Sequence, residues 1–179
     1  YRWDAWYDRA VHPVLTPLGT GPTQPFPFIS NLSLNIGLYV RSGSEERFSR
    51  VKIPGMLPRL VVIEGEAASR RPPLRLVPIE EIIVANLHKL FPGCELDPAV
   101  VFRVTRDADI EIKEDEADDL LHAIEDELRR RRFGQAVRLE VQAGTPEKLR
   151  RFIRKGLNLG EDDVFEVDGL LDLPSLEAL

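Results

Sequence analysis

The stretch Leu34-Asn35-Ile36-Gly37-Leu38-Tyr39-Val40-Arg41 decides the fold class. Its apolar residues stand at every second position, and this pattern predicts a half-buried β-strand. Turn-forming residues follow at 42–46, after which Arg47 to Ile53 resumes the extended pattern. The two extended runs and the turn between them therefore predict a β-hairpin.

Further β-rich runs predict the other strands of a sheet. They are Leu60 to Glu64, Leu74 to Val77, Val100 to Arg106, Val137 to Val141 and Val164 to Val167. Ile110 and Ile112 predict that the chain stays extended beyond Arg106. Residues 65–73 offer little to bury and predict a mobile hairpin tip.

Three segments have the apolar period of amphipathic helices. They are Pro78 to Leu90, Glu114 to Arg132 and Glu147 to Gly156. The second has an acidic first turn and four arginines in its last turn, which suits the helix dipole at both ends. Strand-rich sequence comes first and strands alternate with helices later. This order predicts an α+β fold with a mixed β-sheet and packed helices in a single domain.

Composition excludes several classes of protein. The 179 residues are 43% hydrophobic and 30% charged, which suits one domain with a real core. No apolar run approaches about 18 residues and no secretory signal is evident, so we expect no membrane span and a cytoplasmic protein. A net charge of -6 argues against nucleic acid as a partner. The single cysteine, Cys94, cannot form an internal disulfide.

The first residues predict a segment of a larger protein. The chain starts with Tyr1, and its one methionine is Met56. Residues 1–12 are interpreted as the tail of a preceding helical segment, and residues 13–179 as the domain itself. The aromatic side chains of residues 3–7 need a surface to pack on. Whether that surface is the core of this domain or a neighbouring one stays open.

No motif in the sequence predicts a complete catalytic centre. There is no phosphate-binding loop of the Walker type, no nucleophile elbow, and no pair of histidines at metal-binding spacing. Gly19-Thr20-Gly21 lies among prolines and predicts a loop, and Asp107-Ala108-Asp109 predicts a turn rather than a metal site. The three histidines are His12, His88 and His122. We predict no catalytic residue, metal ligand or cofactor site in this chain.

Arg103 and Arg106 are candidates for phosphate contacts, because a guanidinium group can grip phosphate with two hydrogen bonds. Alternation along a strand places them on opposite faces unless the strand bulges or ends at Thr105. Salt-bridge partners on the surface are the simpler role for both side chains.

Two segments near the start resemble a known family. Residues 13–18 read Pro-Val-Leu-Thr-Pro-Leu, and residues 25–35 read Pro-Phe-Pro-Phe-Ile-Ser-Asn-Leu-Ser-Leu-Asn. They resemble the signature that opens the middle, or head, domain of bacterial polyphosphate kinases. Three further blocks are similar to that family in the same order, and the resemblance covers about residues 8–179. The blocks are residues 47–59, 102–109 and 130–141.

The resemblance implies a parent enzyme that reversibly moves the terminal phosphate of ATP to polyphosphate through a phosphohistidine, with Mg²⁺. In that family the phosphorylated histidine lies in C-terminal domains, and adenine contacts come partly from an N-terminal helical domain. The head domain is similar in role to a spacer that contributes homodimer contacts and frames the tunnel for the polymer. Other domains of the same polypeptide are then its partners, and neither ATP nor Mg²⁺ is bound by this segment alone.

Four side chains are predicted to face phosphate or another domain: Arg103, Arg106, Phe26 and Phe28. The chain departs from the family at Gly21 and Gln24, where an acidic residue and a histidine are usual. A stand-alone anion- or protein-binding module without catalysis remains the alternative. A small phosphotransferase with its own histidine nucleophile has no support in the sequence.

Overall fold

The computed structural model describes residues 2–21, 25–63, 75–107 and 134–176, and these form a mixed β-sheet with packed helices. In chain order the strands are β1 (Pro17–Gly19), β2 (Leu34–Ser42), β3 (Glu45–Lys52), β4 (Leu60–Ile63), β5 (Arg75–Pro78), β6 (Glu95–Leu96), β7 (Val100–Arg106), β8 (Ala136–Gln142) and β9 (Val164–Val167). The helices are α1 (Arg2–Trp6), α2 (Ile79–Ala85), α3 (Leu87–Leu90) and α4 (Glu147–Gly156). Tyr7–Val11 is a π-helical turn, and His12–Val14 and Leu173–Leu176 are 3₁₀ turns.

Within the described residues, the main sheet has seven strands. Six follow the order β1-β3-β2-β7-β8-β9, and β6 pairs with β2 beside β7. All neighbours are antiparallel except β8 and β9, which are parallel and joined through α4. β4 and β5 form a separate two-stranded sheet. The predicted α+β class with a mixed sheet and packed helices is confirmed.

The β2–β3 hairpin was predicted correctly, but the burial of β2 was not. Its turn lies at residues 43 and 44, where Gly43 has φ 61°, a value that glycine adopts without strain. Residues 34–39 of β2 are all buried, so the strand is buried on both faces rather than one. Asn35, Gly37 and Tyr39 occupy the face that the alternation assigned to solvent.

Two hydrophobic clusters cover the two faces of the sheet. The first contains Ile36 and Leu38 of β2 with Ile79 and Ile83 of α2. The second contains Tyr39 and Phe48 together with Phe102 of β7 and Leu149 and Ile153 of α4. Because both faces are covered by helices, the central strands have no solvent side.

The N-terminal residues contribute to the first cluster. Tyr7 and Val11 are fully buried in it, and Trp6 packs against it partly buried. Part of the aromatic set therefore packs on the core of this domain. The proposed boundary at residue 12 stays a prediction.

The helix predicted from Pro78 to Leu90 is wrong in one respect, because it is two helices. α2 ends at Ala85 and α3 begins at Leu87. Between them Asn86 has φ −110° and ψ 12°, and its Nδ2 donates to the Ile82 carbonyl oxygen at 2.9 Å. An asparagine side chain that bonds the preceding turn competes with helical backbone bonds, which explains the break.

Several predictions concern residues outside the described part of the chain. They are the helix Glu114 to Arg132, the extended residues Ile110 and Ile112, the hairpin tip at 65–73, and the side chains of Gln24, Asp109 and His122.

Candidate functional site

A loop rich in proline and phenylalanine, residues 25–32, is held by four cationic side chains. The donors are Arg50 and Lys52 of β3 and Arg103 and Arg106 of β7. Each one donates a hydrogen bond to a different oxygen atom of the loop. We call residues 25–32 the cation-clamped loop.

Arg50 is the most deeply buried of the four cations. It is only 6% exposed, and its Nη2 donates to the Phe28 carbonyl oxygen at 2.8 Å. Its Nε has no hydrogen-bond partner among the described residues. Burial lowers the pKa of Arg50, because desolvation disfavours the charged form. The guanidinium therefore retains an unmet donor in a buried position.

Lys52 lies on the same face of β3, two residues further along. Its Nζ donates to Ser30 Oγ at 3.1 Å. Its cross-strand neighbour is Asn35 of β2, which is fully buried. The Asn35 Nδ2 donates to the carbonyl oxygen of Ser33, but in the described part of the chain its Oδ1 has no partner. This face of the sheet thus holds an unmet buried acceptor as well as an unmet donor.

Arg106 fixes the loop from the other side through neutral groups. Its Nε donates to the Ile29 carbonyl oxygen and its Nη1 to the Gly134 carbonyl oxygen, both at 2.7 Å. Its guanidinium carbon lies 4.3 Å from the ring centroid of Phe28, within the range of a cation–π contact. Burial lowers the pKa of Arg106 through desolvation. Among the described residues, its guanidinium therefore bonds carbonyl oxygens and a ring rather than a carboxylate.

Arg103 differs because its charge is neutralised. Its Nη1 lies 3.2 Å from Glu140 Oε2, and its Nη2 lies 3.3 Å from Asp172 Oδ1. Its Nε donates to the Leu32 carbonyl oxygen at 3.3 Å. The register of β7 against β8 shifts between Thr105 and Arg106. The extra residue of this shift is Val137 of β8, so β7 itself stays regular. Both arginines reach the loop because it runs alongside β7, where the Leu32 N–H donates to the Val104 carbonyl oxygen.

Phe26 and Phe28 have different surroundings. The Phe26 ring packs against Phe48 at 5.6 Å and Phe152 at 5.9 Å between centroids, in the second cluster. Phe28 is 41% exposed and lies under Arg106. The structure thus brings Arg103, Arg106 and Phe28 together around one loop. Their role toward phosphate or another domain stays a prediction, as does that of Phe26.

Sequence reasoning missed Arg50 and Lys52. The signal was present in β3, because Phe48, Arg50 and Lys52 alternate at period two. A strand that places a phenylalanine and two cations on one face brings charged side chains toward the core when that face is buried. The apolar residues Val51 and Ile53 on the opposite face were enough to predict the strand, so no role was assigned to these two cations.

An open groove of about 390 Å³ adjoins these two cations. We call it the Arg50–Lys52 groove, and its lining residues are Val14, Thr16, Leu18, Arg50, Lys52, Pro54, Gly55 and Met56. Leu18 of the edge strand β1 pairs directly with Arg50. The groove therefore lies at the edge of the main sheet.

A second cavity, of about 370 Å³, lies beside α2 and is mostly apolar. Val84 and Leu171 contribute to its lining, and Glu80 and Glu81 bring carboxylates. Glu80 forms a buried ion pair with Arg59, whose Nη2 also donates to the Leu171 carbonyl oxygen at 2.9 Å. Glu80 is thus committed to a structural ion pair.

The described residues contain no group of three or more histidine, cysteine, aspartate or glutamate side chains that could hold a metal ion. His12 lies 6.0 Å from the Tyr7 ring between centroids, and His88 is exposed on α3. The Thr20 N–H of Gly19-Thr20-Gly21 donates to the Phe48 carbonyl oxygen at 2.8 Å, so this segment extends the edge of the sheet. In the described helices, no stretch has the length and apolar character needed to cross a membrane.

Fold and site together define an α+β domain whose mixed sheet carries a loop fixed by buried and half-buried cations. The sequence model of the polyphosphate kinase middle domain family matches residues 2–179. The chain therefore belongs to that family, as the resemblance predicted.

Individual relatives agree with the family match. The chain is 50% identical over 178 residues to a polyphosphate kinase of Synechocystis sp., a match that covers 96% of this chain and 24% of that protein. It is 44% identical to a polyphosphate kinase of Mycobacterium bovis, over 98% of this chain and 25% of that protein. The chain thus spans about a quarter of the length of these relatives.

A solved structure shares the fold. The crystal structure of polyphosphate kinase from Porphyromonas gingivalis superposes with a TM-score of 0.75 and 17% sequence identity. The superposition covers 99% of this chain and 24% of that one.

Proposed function

We propose that this chain is the middle domain of a polyphosphate kinase. The full polypeptide reversibly transfers the terminal phosphate of ATP to polyphosphate through a phosphohistidine that lies outside residues 1–179. The observation that carries this proposal is the family match over residues 2–179, together with relatives that bear the name polyphosphate kinase.

Within that enzyme the domain positions other parts and performs no chemical step. Its notable cations are used to hold a loop, because Arg50, Lys52 and Arg106 donate to carbonyl or hydroxyl oxygens of residues 28–30. Rigid presentation of such a loop suits a domain that frames a tunnel for the anionic polymer and contributes homodimer contacts. The described side chains offer no fitting ligand set for Mg²⁺, so no step of the transfer is assigned to them.

The experiment is to incubate the purified 179-residue chain with radiolabelled ATP, Mg²⁺ and polyphosphate. We expect no chain growth and no labelled protein. The control is the same assay on the polypeptide with its flanking sequence, which should lengthen polyphosphate. Circular dichroism of the short chain establishes that it is folded. Turnover by the short chain at a rate near that of the long one would overturn the proposal.

A second candidate function is an anion-binding module without catalysis, favoured by Arg106, whose guanidinium stacks on the exposed Phe28 ring. Such a module predicts polyphosphate binding by the short chain that weakens as salt rises, since released counterions drive it. Charge reversal at Arg103 and Arg106 should abolish this binding. Binding that is unchanged in the double variant would exclude both arginines.

A further inference from the structure

Among the described residues, neither Arg50 nor Lys52 of the Arg50–Lys52 groove pairs with a carboxylate. Arg59, Arg103 and Arg154 each pair with a carboxylate, those of Glu80, Glu140 and Glu161 respectively. Among the described residues, Arg50 and Lys52 instead donate to neutral oxygens of the cation-clamped loop, the Phe28 carbonyl oxygen and Ser30 Oγ. These two cations therefore have no counter-charge among the described residues.

Burial makes such an anion favourable. Arg50 is only 6% exposed as a residue, so its guanidinium has lost much of its hydration, and its Nε has no compensating bond within the described residues. A carboxylate at the groove can attract the Arg50 guanidinium and the Lys52 ammonium at short range, where water screens poorly. The groove therefore carries the positive charge of two side chains, which favours the binding of an anion.

The walls of the groove indicate what kind of molecule bears the anion. Val14, Leu18 and Met56 are large apolar side chains with exposed fractions of 37%, 43% and 78%. An inorganic phosphate chain has no apolar surface to cover them. Apolar side chains that surround a buried arginine are typical of the centre of a protein–protein interface. The combination favours a protein segment over an inorganic polymer.

We propose that the Arg50–Lys52 groove receives a segment from another domain of the same polypeptide, one that presents a carboxylate beside a large apolar side chain. The carboxylate bonds Arg50 and Lys52, and the apolar side chain covers Leu18 and Met56. The identity of the partner rests on the proposed function. The matched relatives are about four times as long as this chain, which leaves ample polypeptide to supply the segment.

Met56 provides a direct test, because it is the one methionine in the sequence and lies at the groove. Dilute hydrogen peroxide converts an exposed methionine to its sulfoxide, which mass spectrometry quantifies. We expect Met56 to oxidise at least about tenfold more slowly in the full-length polypeptide than in the 179-residue chain. Acetylation of Lys52 by a water-soluble reagent should slow in parallel.

Two variants separate docking from general shielding. Lys52→Glu in the full-length polypeptide should restore rapid oxidation of Met56, since a carboxylate cannot dock against a carboxylate. Lys155→Glu is the matched control, because Lys155 is exposed at the end of α4 and does not line the groove. This control variant should leave Met56 protected.

Three outcomes would overturn the inference. The first is equal oxidation of Met56 in the short and long chains. The second is protection of Lys52 in the short chain by added tripolyphosphate, which would assign the groove to the polymer. The third is protection in the short chain that grows with protein concentration, which would assign it to a second copy. All readouts are independent of kinase activity, so this inference and the proposed function can fail separately.

Discussion

At the scale of single residues, Gly156 shows how closely the loop packs on α4. It is the last residue of that helix, and a Cβ built there overlaps the Phe26 ring. Alanine is normally the better helix former by about 1 kcal/mol. The left-handed conformation that ends many helices falls instead on Asn158, with φ 58°. Gly156 is therefore required by close approach and not by its backbone angles.

Gly156→Ala should lower the free energy of unfolding by about 1–2 kcal/mol, because overpacking outweighs the gain in helix propensity. Urea denaturation followed by circular dichroism measures the change. Gly55→Ala is the control, since a Cβ there has no neighbour within 4 Å. A Gly156→Ala variant as stable as the parent would show that Phe26 is not fixed against α4.

Tyr7 gives a prediction about pH. Burial, with a smaller effect of Asp8, raises the pKa of Tyr7 to about 12. In the unfolded chain, the Tyr7 hydroxyl has the ordinary tyrosine pKa of about 10. Between these values the unfolded state releases a proton that the folded state keeps, so stability present below pH 10 is lost as pH rises toward 12.

The free energy of unfolding should therefore fall by on the order of 2 kcal/mol between pH 9.5 and 12 from this residue alone. Tyr7→Phe should lack that part of the loss. It should also fold well at pH 7, because the Tyr7 hydroxyl has no partner in the described part of the chain. Identical pH profiles for the two proteins would contradict the buried position of Tyr7.

Residue roles were the least predictable part of the site. Arg103 and Arg106 were identified from chemistry alone, yet their partners, such as Ile29 and Asp172, lie more than 60 positions away in the chain. Arg50 was missed because its burial depends on the loop at residues 25–32, which lies about 20 positions earlier in the chain. The sequence shows which side chains can donate hydrogen bonds. Tertiary contacts determine which of those donors have a partner in the folded chain.

At the scale of elements, Arg106 is expected to hold the loop to β7. Its side chain bonds the Ile29 carbonyl oxygen, and its backbone N–H donates to Asn31 Oδ1 at 2.8 Å. Close by, the Leu32 N–H donates to the Val104 carbonyl oxygen at 2.8 Å. Local opening of the loop breaks this last bond, and hydrogen exchange reports such openings.

Arg106→Met should speed exchange of the Leu32 amide about tenfold, which corresponds to the loss of roughly 1.4 kcal/mol of local stability. Amides in the middle of α4 should exchange as before. Arg47→Met is the matched control, because Arg47 is exposed and pairs only with Glu45 among the described residues. Unchanged exchange at Leu32 would show that the clamp does not depend on Arg106.

The Arg59–Glu80 ion pair joins three segments of the chain that lie outside the cation-clamped loop. Glu80 lies in the first turn of α2, Arg59 precedes β4, and Nη2 of Arg59 donates to the Leu171 carbonyl oxygen. Glu80→Gln leaves the buried guanidinium without its counter-charge, so we expect destabilisation of about 3 kcal/mol. Glu81→Gln, at an exposed neighbouring position, should change stability by less than about 0.5 kcal/mol. Chemical denaturation of both variants tests this, and equal effects would count against the ion pair.

Within the described residues, β7, β9 and α4 lie at their predicted bounds, whereas β1 and β6 were not predicted. Period-two alternation and turn residues are local signals, so β7 has its predicted bounds and β3 lies within two residues of its predicted bounds. The break at Asn86 depends on a side chain that bonds its own helix, and apolar periodicity does not report it. The burial of both faces of β2 depends on α4, which lies more than 100 residues further along.

At the scale of the whole molecule, fold class followed from the order of strands and helices, whereas strand order in the sheet did not. Pairing of β2 with β7 brings together residues about 65 positions apart, such as Asn35 and Phe102. Single-sequence patterns carry no signal for such pairings. Collinear family motifs supplied the family, which the order of strands and helices alone does not identify.

The central claim is that the chemistry lies outside this chain, and the site of phosphorylation tests it most directly. The full-length polypeptide is labelled with radioactive ATP, digested at neutral to alkaline pH and mapped by mass spectrometry. The account predicts a phosphohistidine beyond residues 1–179 and no label on His12, His88 or His122. Phosphate on any of these three histidines would contradict it.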